Sequence, residues 1–253
     1  MKCLSNMIML MLTLVIGAGC CAKSPVNSPK LSTANDVISN IENATVALVM
    51  GAPGEKEPYC AGVWIDNTKI LTANHCAETL GRKIFDVSEN ENYDATGDPI
   101  VFINYSDLVD NEIPKEVAWV GIIESVDKIR DIAVIKTSIQ TSYHTTVRMV
   151  NRKINRGEKV HIIGHTLGLS WSYSGGNVAA ERIVEGPYLG DKPINSKVLQ
   201  ISAPVWMGNS GGGVFDENGD LIGICSWITL RAPSVAFFIH VEEIQKSLNK
   251  TLL

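Results

Sequence analysis

Hydrophobic residues along this chain fall in short runs, broken at close intervals by glycine, asparagine, aspartate and serine. In the first half the runs at 45–50, 60–65, 69–72, 83–87, 100–104, 116–125 and 132–136 read as strands. Residues 45–50 are almost continuously apolar between Asn43 and Gly51, as a buried strand requires. The runs 60–65 and 69–72 face each other across Asp66, Asn67 and Thr68, a hairpin loop. Residues 88–98 are polar and predict a surface loop. In the second half the strand candidates are 160–164, 177–184, 198–202, 213–215, 221–227 and 236–239. Short strands punctuated by turn signals predict an all-β pair of barrels. Helical spacing is confined to a short turn at 37–41 and to 241–248, which closes the chain.

Ahead of this body lies a different composition. Lys2 is followed by an apolar stretch from Met7 to Gly19, too short to span a bilayer as a helix. It ends in Gly17-Ala18-Gly19-Cys20, small residues before a cysteine. That pattern resembles a bacterial lipoprotein signal over residues 1–20, with Cys20 as the lipidated residue. Gly17 stands where such signals usually carry leucine, and an ordinary secretory signal cut near Ala22 is the alternative. Either route exports the protein to the cell envelope, the periplasm or the medium. Residues 21–36 are rich in Ser, Pro, Asn and Lys and read as a tether.

The length, 253 residues with 45% hydrophobic content, supports one large core or two smaller ones. A net charge of −5 argues against nucleic acid as a partner, because phosphate contacts need a basic face. Export permits disulfides. Of the cysteines, Cys60, Cys76 and Cys225 lie in the body, and Cys60 and Cys76 flank a single hairpin. A Cys60–Cys76 bridge leaves Cys225 as a small thiol in an apolar strand.

Met207-Gly208-Asn209-Ser210-Gly211-Gly212-Gly213 places a serine in a glycine turn ahead of an apolar run. Such a turn can aim the backbone N–H groups of Gly208 and Ser210 at one point beside the serine oxygen, as an oxyanion hole requires. A serine nucleophile needs a base, and the base an orienting partner. Ile70-Leu71-Thr72-Ala73-Asn74-His75-Cys76 reads as a strand end that delivers a histidine, pinned by the adjoining cysteine. In Arg130-Asp131-Ile132-Ala133-Val134-Ile135-Lys136 a single carboxylate heads an apolar run, where it could be buried and paired.

Taken together, these stretches resemble the trypsin-like (chymotrypsin-fold) serine proteases, whose triad runs His, Asp, Ser in chain order. Gly223-Ile224-Cys225-Ser226-Trp227 resembles the strand on which that family pairs with substrate backbone. Gly164-His165-Thr166-Leu167-Gly168-Leu169, followed by Ser174-Gly175-Gly176-Asn177-Val178, is similar to the bacterial HtrA-like branch, as is Asn209. The resemblance implies two six-stranded antiparallel barrels, the first at about 45–140 and the second at about 150–240, with a C-terminal helix at 241–250, in a protease domain spanning 37–253. It implies His75, Asp131 and Ser210 as catalytic residues, Gly208 and Ser210 as the oxyanion hole, and Ser226, Trp227 and Ile228 as the substrate-pairing strand. No metal or organic cofactor is required. Partners are protein or peptide substrates, and a membrane through the lipid anchor. The stretch from His75 to Asp131 is longer than in compact HtrA-like relatives, and a loop insertion is expected there. The peptide-binding PDZ domain that many of those proteases append is not expected after the closing helix.

The resemblance also implies a specificity pocket with Pro204 and Val205 at its floor and Ile228 and Ala236 on its walls, a shallow apolar slot for small or medium aliphatic side chains. Asn209 replaces the aspartate with which many zymogens of the family grip a freed N-terminus, so activation by that route is not expected. Two other classes use the same residues: an inactive or chaperone-like peptide-binding homologue, which would usually lose a triad member, and an esterase.

Overall fold

The computed structural model describes residues 33–51, 55–88, 92–114, 118–138, 144–189, 192–229, 232 and 234–251. The expected signal segment, Cys20 and most of the expected tether lie outside them. Helix α1 (Ala34–Ala44) leads into strand β1 (Thr45–Met50), β2 (Glu57–Trp64) and β3 (Lys69–Thr72). Helix α2 (Asn74–Phe85) follows, then β4 (Pro99–Asn104), β5 (Trp119–Asp127) and β6 (Ile132–Lys136). The second half holds β7 (Lys159–Gly164), β8 (Ser172–Leu189), β9 (Lys192–Ser202), β10 (Gly213–Phe215), β11 (Leu221–Ile228) and β12 (Val235–His240), and ends in helix α3 (Val241–Thr251).

The strands close into two barrels of six, in the orders β1-β2-β3-β6-β5-β4 and β10-β11-β12-β9-β8-β7, and the ladders within them are antiparallel. This is the expected chymotrypsin-like architecture. Each barrel has its own core, one around Trp64, Phe102 and Ile135 and the other around Leu199, Val214 and Phe238. A third cluster joins them: Ala47, Leu71 and Ile132 of the first barrel pack with Ile163, Phe215 and Ile224 of the second. The groups between the barrels are thus held by continuous packing, and a small displacement of one barrel is resisted by the other.

The termini of the domain serve that packing. Thr33 and Asp36 exchange side chain–backbone hydrogen bonds of 3.2 and 2.8 Å, a capping box that starts α1. Its Val37 and Ile41 enter the shared cluster, and burying side chains of this size contributes roughly 1.5–3 kcal/mol each. From the other end, α3 buries Ile244 in the same cluster and sets Glu243 2.7 Å from Arg130, beside Asp131.

Several elements differ from the sequence reading. The strand expected at 83–87 does not form; residues 83–85 are the last turn of α2, which Asp86 ends in the left-handed conformation at φ 54°. The deciding pattern was the helical spacing of the buried Cys76, Ala77 and Leu80, which outweighs a short alternation at its end. Residues 34–36, expected in the tether, form the first turn of α1. Strands β8 and β9 are far longer than expected and pair from Asn177↔Ser202 out to Leu189↔Lys192. The outer part of this ribbon includes Ile183 at 75% exposure, so its ladder holds it without the burial alternation a sequence reading looks for. Cys60 and Cys76 are bridged with their Cα atoms 6.1 Å apart, and Cys225 is a free, buried thiol. Closing a loop of this size contributes about 3 kcal/mol in the chain-entropy description.

Candidate active site

His75 sits in the first turn of α2, immediately after β3, rather than at the strand end itself. Its backbone N–H donates to Asp131 Oδ1 at 2.9 Å, and its ring Nδ1 lies 2.9 Å from Oδ2 and 3.1 Å from Oδ1. Asp131 is 3% exposed and held at φ 56° in the turn before β6. A third donor, Ser226 Oγ of β11, closes on Oδ2. An ionised carboxylate can accept from all three donors at once. In the neutral imidazole such a partner favours the tautomer with its proton on Nδ1.

The two sulfurs of the bridge lie within 4.8 Å of a ring nitrogen of His75 and of each other. Cysteine, histidine and cysteine at such distances resemble a metal site, but these sulfurs are bonded to one another and offer no thiolate. Their effect is mechanical: the bridge ties β2 to the helix turn that carries the imidazole.

Ser210 comes from the second barrel and is half-buried. Its carbonyl accepts the Ala61 N–H of β2 at 2.8 Å and lies 3.6 Å from the Cys76 sulfur, next along the chain from His75. The serine turn is thus fastened to the strand and helix that present the histidine. Cys225 lies behind it, its carbonyl accepting from Gly211 N–H at 2.7 Å. Burial, with the charge of Asp131 nearby, pushes this thiol up to about 12, so it stays protonated and unreactive.

Gly208 has φ 97°, open to glycine at little cost. The Met207 carbonyl accepts the Leu167 N–H at 2.8 Å. No described peptide bond is cis, so the Gly208 N–H points the opposite way from that carbonyl. Neither the Gly208 nor the Ser210 N–H has an acceptor among the described residues. Asn209 is buried, and its Nδ2 donates to Thr166 Oγ1 at 2.7 Å and to the Trp206 carbonyl at 2.9 Å. An aspartate could donate neither bond.

Strand β11 pairs with β10 only as far as Ile224, while its other edge pairs with β12 through Trp227↔Phe237 and Ile228↔Ala236. The β10 pairing therefore stops short of residues 226–228. A bulge between Cys225 and Trp227 leaves Ser226 out of the ladder and turns its hydroxyl toward Asp131. Trp227 stacks on Phe237 at 4.9 Å.

The expected specificity residues divide. Val205 and Ala236 are buried in the core of the second barrel, and the half-buried Ile228 packs against the same cluster. Pro204 is exposed, with its carbonyl accepting the Ser174 hydroxyl at 2.8 Å, so it stands at the surface rather than as a sealed floor. Sequence reading missed the hydroxyl of Ser226 on Asp131, the Ala61 N–H on Ser210 and the Leu167 N–H on Met207. The first had a signal in a serine within the pairing strand; the other two are backbone groups, which any residue but proline supplies.

The trypsin-like peptidase domain family matches residues 60–224, well over half of the chain. A protein described as serine protease HtrA-like, from Staphylococcus epidermidis, is 30% identical over 172 residues, covering 61% of this chain and 29% of that protein. The chain spans less than a third of the length of the curated relatives it matches. Among solved structures, the active form of the Rv3671c protease from M. tuberculosis covers 98% of this chain and 94% of its own at 19% identity, with a TM-score of 0.65. The HtrA-type protease AlgWS227A with tripeptide covers 86% of this chain and 63% of its own at 19% identity, with a TM-score of 0.64. At such identity these likenesses speak for the fold.

Proposed function

The chain belongs to the trypsin-like peptidase domain family, and from that premise we propose that it is an exported serine endopeptidase working through His75, Asp131 and Ser210. The observation that carries this reading is the pairing of buried Asp131 with half-buried His75, fastened to a serine turn whose Gly208 and Ser210 N–H groups have no acceptor among the described residues. Ser210 Oγ attacks a peptide carbonyl while His75 Nε2 takes its proton. The oxyanion is received by the N–H groups of Gly208 and Ser210. Asp131 stabilises the imidazolium and keeps its orientation. His75 then returns the proton to the leaving amine, and water, activated by the same imidazole, releases the acyl group from Ser210. The edge of β11 beyond its β10 pairing suits an extended peptide added as a strand, which favours peptides over simple esters. Hydrolysis of casein and of a peptide ester by the protein, absent in Ser210→Ala, tests this reading; loss of neither activity in that variant overturns it.

Specificity follows from the same wall. Val205, Ile228 and Ala236 offer no carboxylate, so a lysine or arginine side chain would be buried unpaired at a cost of several kcal/mol. Cleavage after small or medium aliphatic residues is expected, with weak discrimination of about 1–3 kcal/mol per methylene. Ile228→Gly is expected to widen the choice toward aromatics. Profiling with a peptide library checks both statements; a dominant preference for lysine, arginine or glutamate contradicts them.

For location, we infer a lipid anchor at Cys20, from the small residues that precede it. Among the described residues no helix is long and apolar enough to cross a membrane. Cys20→Ser is expected to release the protein from the membrane fraction or block its processing. Mass spectrometry of an unmodified mature chain beginning after Ala22 would decide for plain secretion.

A further inference from the structure

His165 takes no part in that chemistry, yet it is wholly buried, 0% exposed, at the junction of the two barrels. Its Nε2 lies 3.1 Å from the Val46 carbonyl oxygen of β1. Its Nδ1 lies 3.1 Å from the Trp171 backbone nitrogen, whose N–H donates to it. A carbonyl only accepts and an N–H only donates, so both bonds exist together in one tautomer alone, protonated at Nε2 and bare at Nδ1. A second proton would point at the Trp171 N–H, and burial pushes this imidazole down to about 4. The Trp171 ring stands edge-on to it at 4.7 Å and donates its own indole N–H to the Glu42 carbonyl of α1 at 3.2 Å. Leu167 and Trp171 are held at φ 53° and 49°, conformations that non-glycine residues keep only where their surroundings impose them.

The same short segment grips the serine turn. Leu167 N–H holds the Met207 carbonyl, and Thr166 Oγ1 accepts from Asn209 Nδ2. The His165 carbonyl comes so near Gly208 that a Cβ there would lie 2.1 Å from it. A peptide ahead of glycine can turn over at little cost, which would swing the Gly208 N–H away and put a carbonyl in its place. Something must bias it, and the described contact that does so is Leu167.

We propose that His165 is a positioning residue for the oxyanion hole: its neutral ring, clamped between Val46 of the first barrel and Trp171, holds segment 165–171 where Leu167 orients the Met207–Gly208 peptide. This rests on the oxyanion role given to Gly208 above. A misdirected N–H weakens binding of the transition state and not of the substrate, so kcat falls and KM does not.

The test compares wild type, His165→Phe, which keeps a ring against Trp171 but makes neither hydrogen bond, and His165→Gln, which restores a donor and an acceptor. The substrate is an N-acyl tripeptide p-nitroanilide with alanine before the cut, and the inhibitor is the matching peptide aldehyde, whose adduct places an oxygen in the hole. For His165→Phe, kcat is expected to fall about 100-fold with KM within roughly twofold, and the aldehyde to weaken in parallel. His165→Gln is expected to recover at least about tenfold of the loss. A folded His165→Phe with wild-type kcat overturns the proposal, as does a loss carried by KM. Should that variant not fold, the nitrogen NMR spectrum of wild-type histidines decides, since a proton on His165 Nδ1 at neutral pH overturns the clamp. Wild type without Ser210-dependent hydrolysis instead overturns the proposed function, and is told apart by the Ser210→Ala control.

Discussion

Ser210→Ala, His75→Ala and Asp131→Asn are each expected to cut turnover by roughly four to six orders of magnitude while the fold survives. That is about 5–8 kcal/mol of transition-state stabilisation, and the three losses do not add, because the groups act as one unit. Asp131→Asn is the most informative. Its carboxylate accepts from the His75 backbone, the His75 ring and Ser226 Oγ at once. A carboxamide must turn an NH2 group toward one of these donors or toward Nδ1, which favours the ring with its proton on Nε2, useless as a base. Steady-state kinetics beside a thermal melt checks all three. A His75 variant with near-normal hydrolysis would contradict the assignment.

Gly211→Ala is expected to damage both stability and activity. Gly211 sits at φ 79°, and a Cβ there would lie 2.2 Å from Thr72 Oγ1, 2.4 Å from the Ala61 carbonyl and 2.9 Å from the Ala73 nitrogen. These atoms belong to β2, β3 and the residue before α2, the part of the first barrel that presents His75. Thr72 Oγ1 already donates to the Ala61 carbonyl at 2.7 Å, so neither can yield without breaking that bond. The left-handed backbone costs an ordinary residue about 1 kcal/mol, and overpacking adds about 1–3 kcal/mol. The serine turn is pushed off the first barrel, and a shift of near 1 Å between reacting groups costs about 100-fold in rate. Thermal melting and kcat measured on one preparation test this; wild-type values for both would show that the turn has slack the contacts deny.

Much of this site was legible in the chain. The serine, histidine and aspartate stretches each carry local chemistry: a glycine turn, a strand end beside a cysteine, an acid heading an apolar run. The spacing of Cys60 and Cys76 around one hairpin pointed to their bridge, which the structure contains. The strands with strong apolar runs, at 45–50, 69–72 and 213–215, fall on β1, β3 and β10. Where burial does not drive an element, the pattern gave little. The outer β8–β9 ribbon is held by its ladder and carries no alternation, and α2 was half hidden by a short mixed run at its end. Pro204, implied by the resemblance as a pocket floor, is exposed, with its carbonyl accepting the Ser174 hydroxyl.

Sequence alone determined the all-β character, because short apolar runs and turn signals are written along the chain, and through residue type and a family resemblance it nominated His75, Asp131 and Ser210. Only the tertiary structure decided how they are held. Ser226 turned out to serve Asp131 because a bulge in β11 rotates it out of the ladder. Ala61 and Leu167 act through backbone groups that every residue but proline offers, so their letters carry no trace of it. His165 reads as an ordinary histidine until the second barrel brings it against the Val46 carbonyl of the first. Hydrogen bonds across a cleft join residues far apart in the chain, and their partners are chosen by packing that no local pattern encodes.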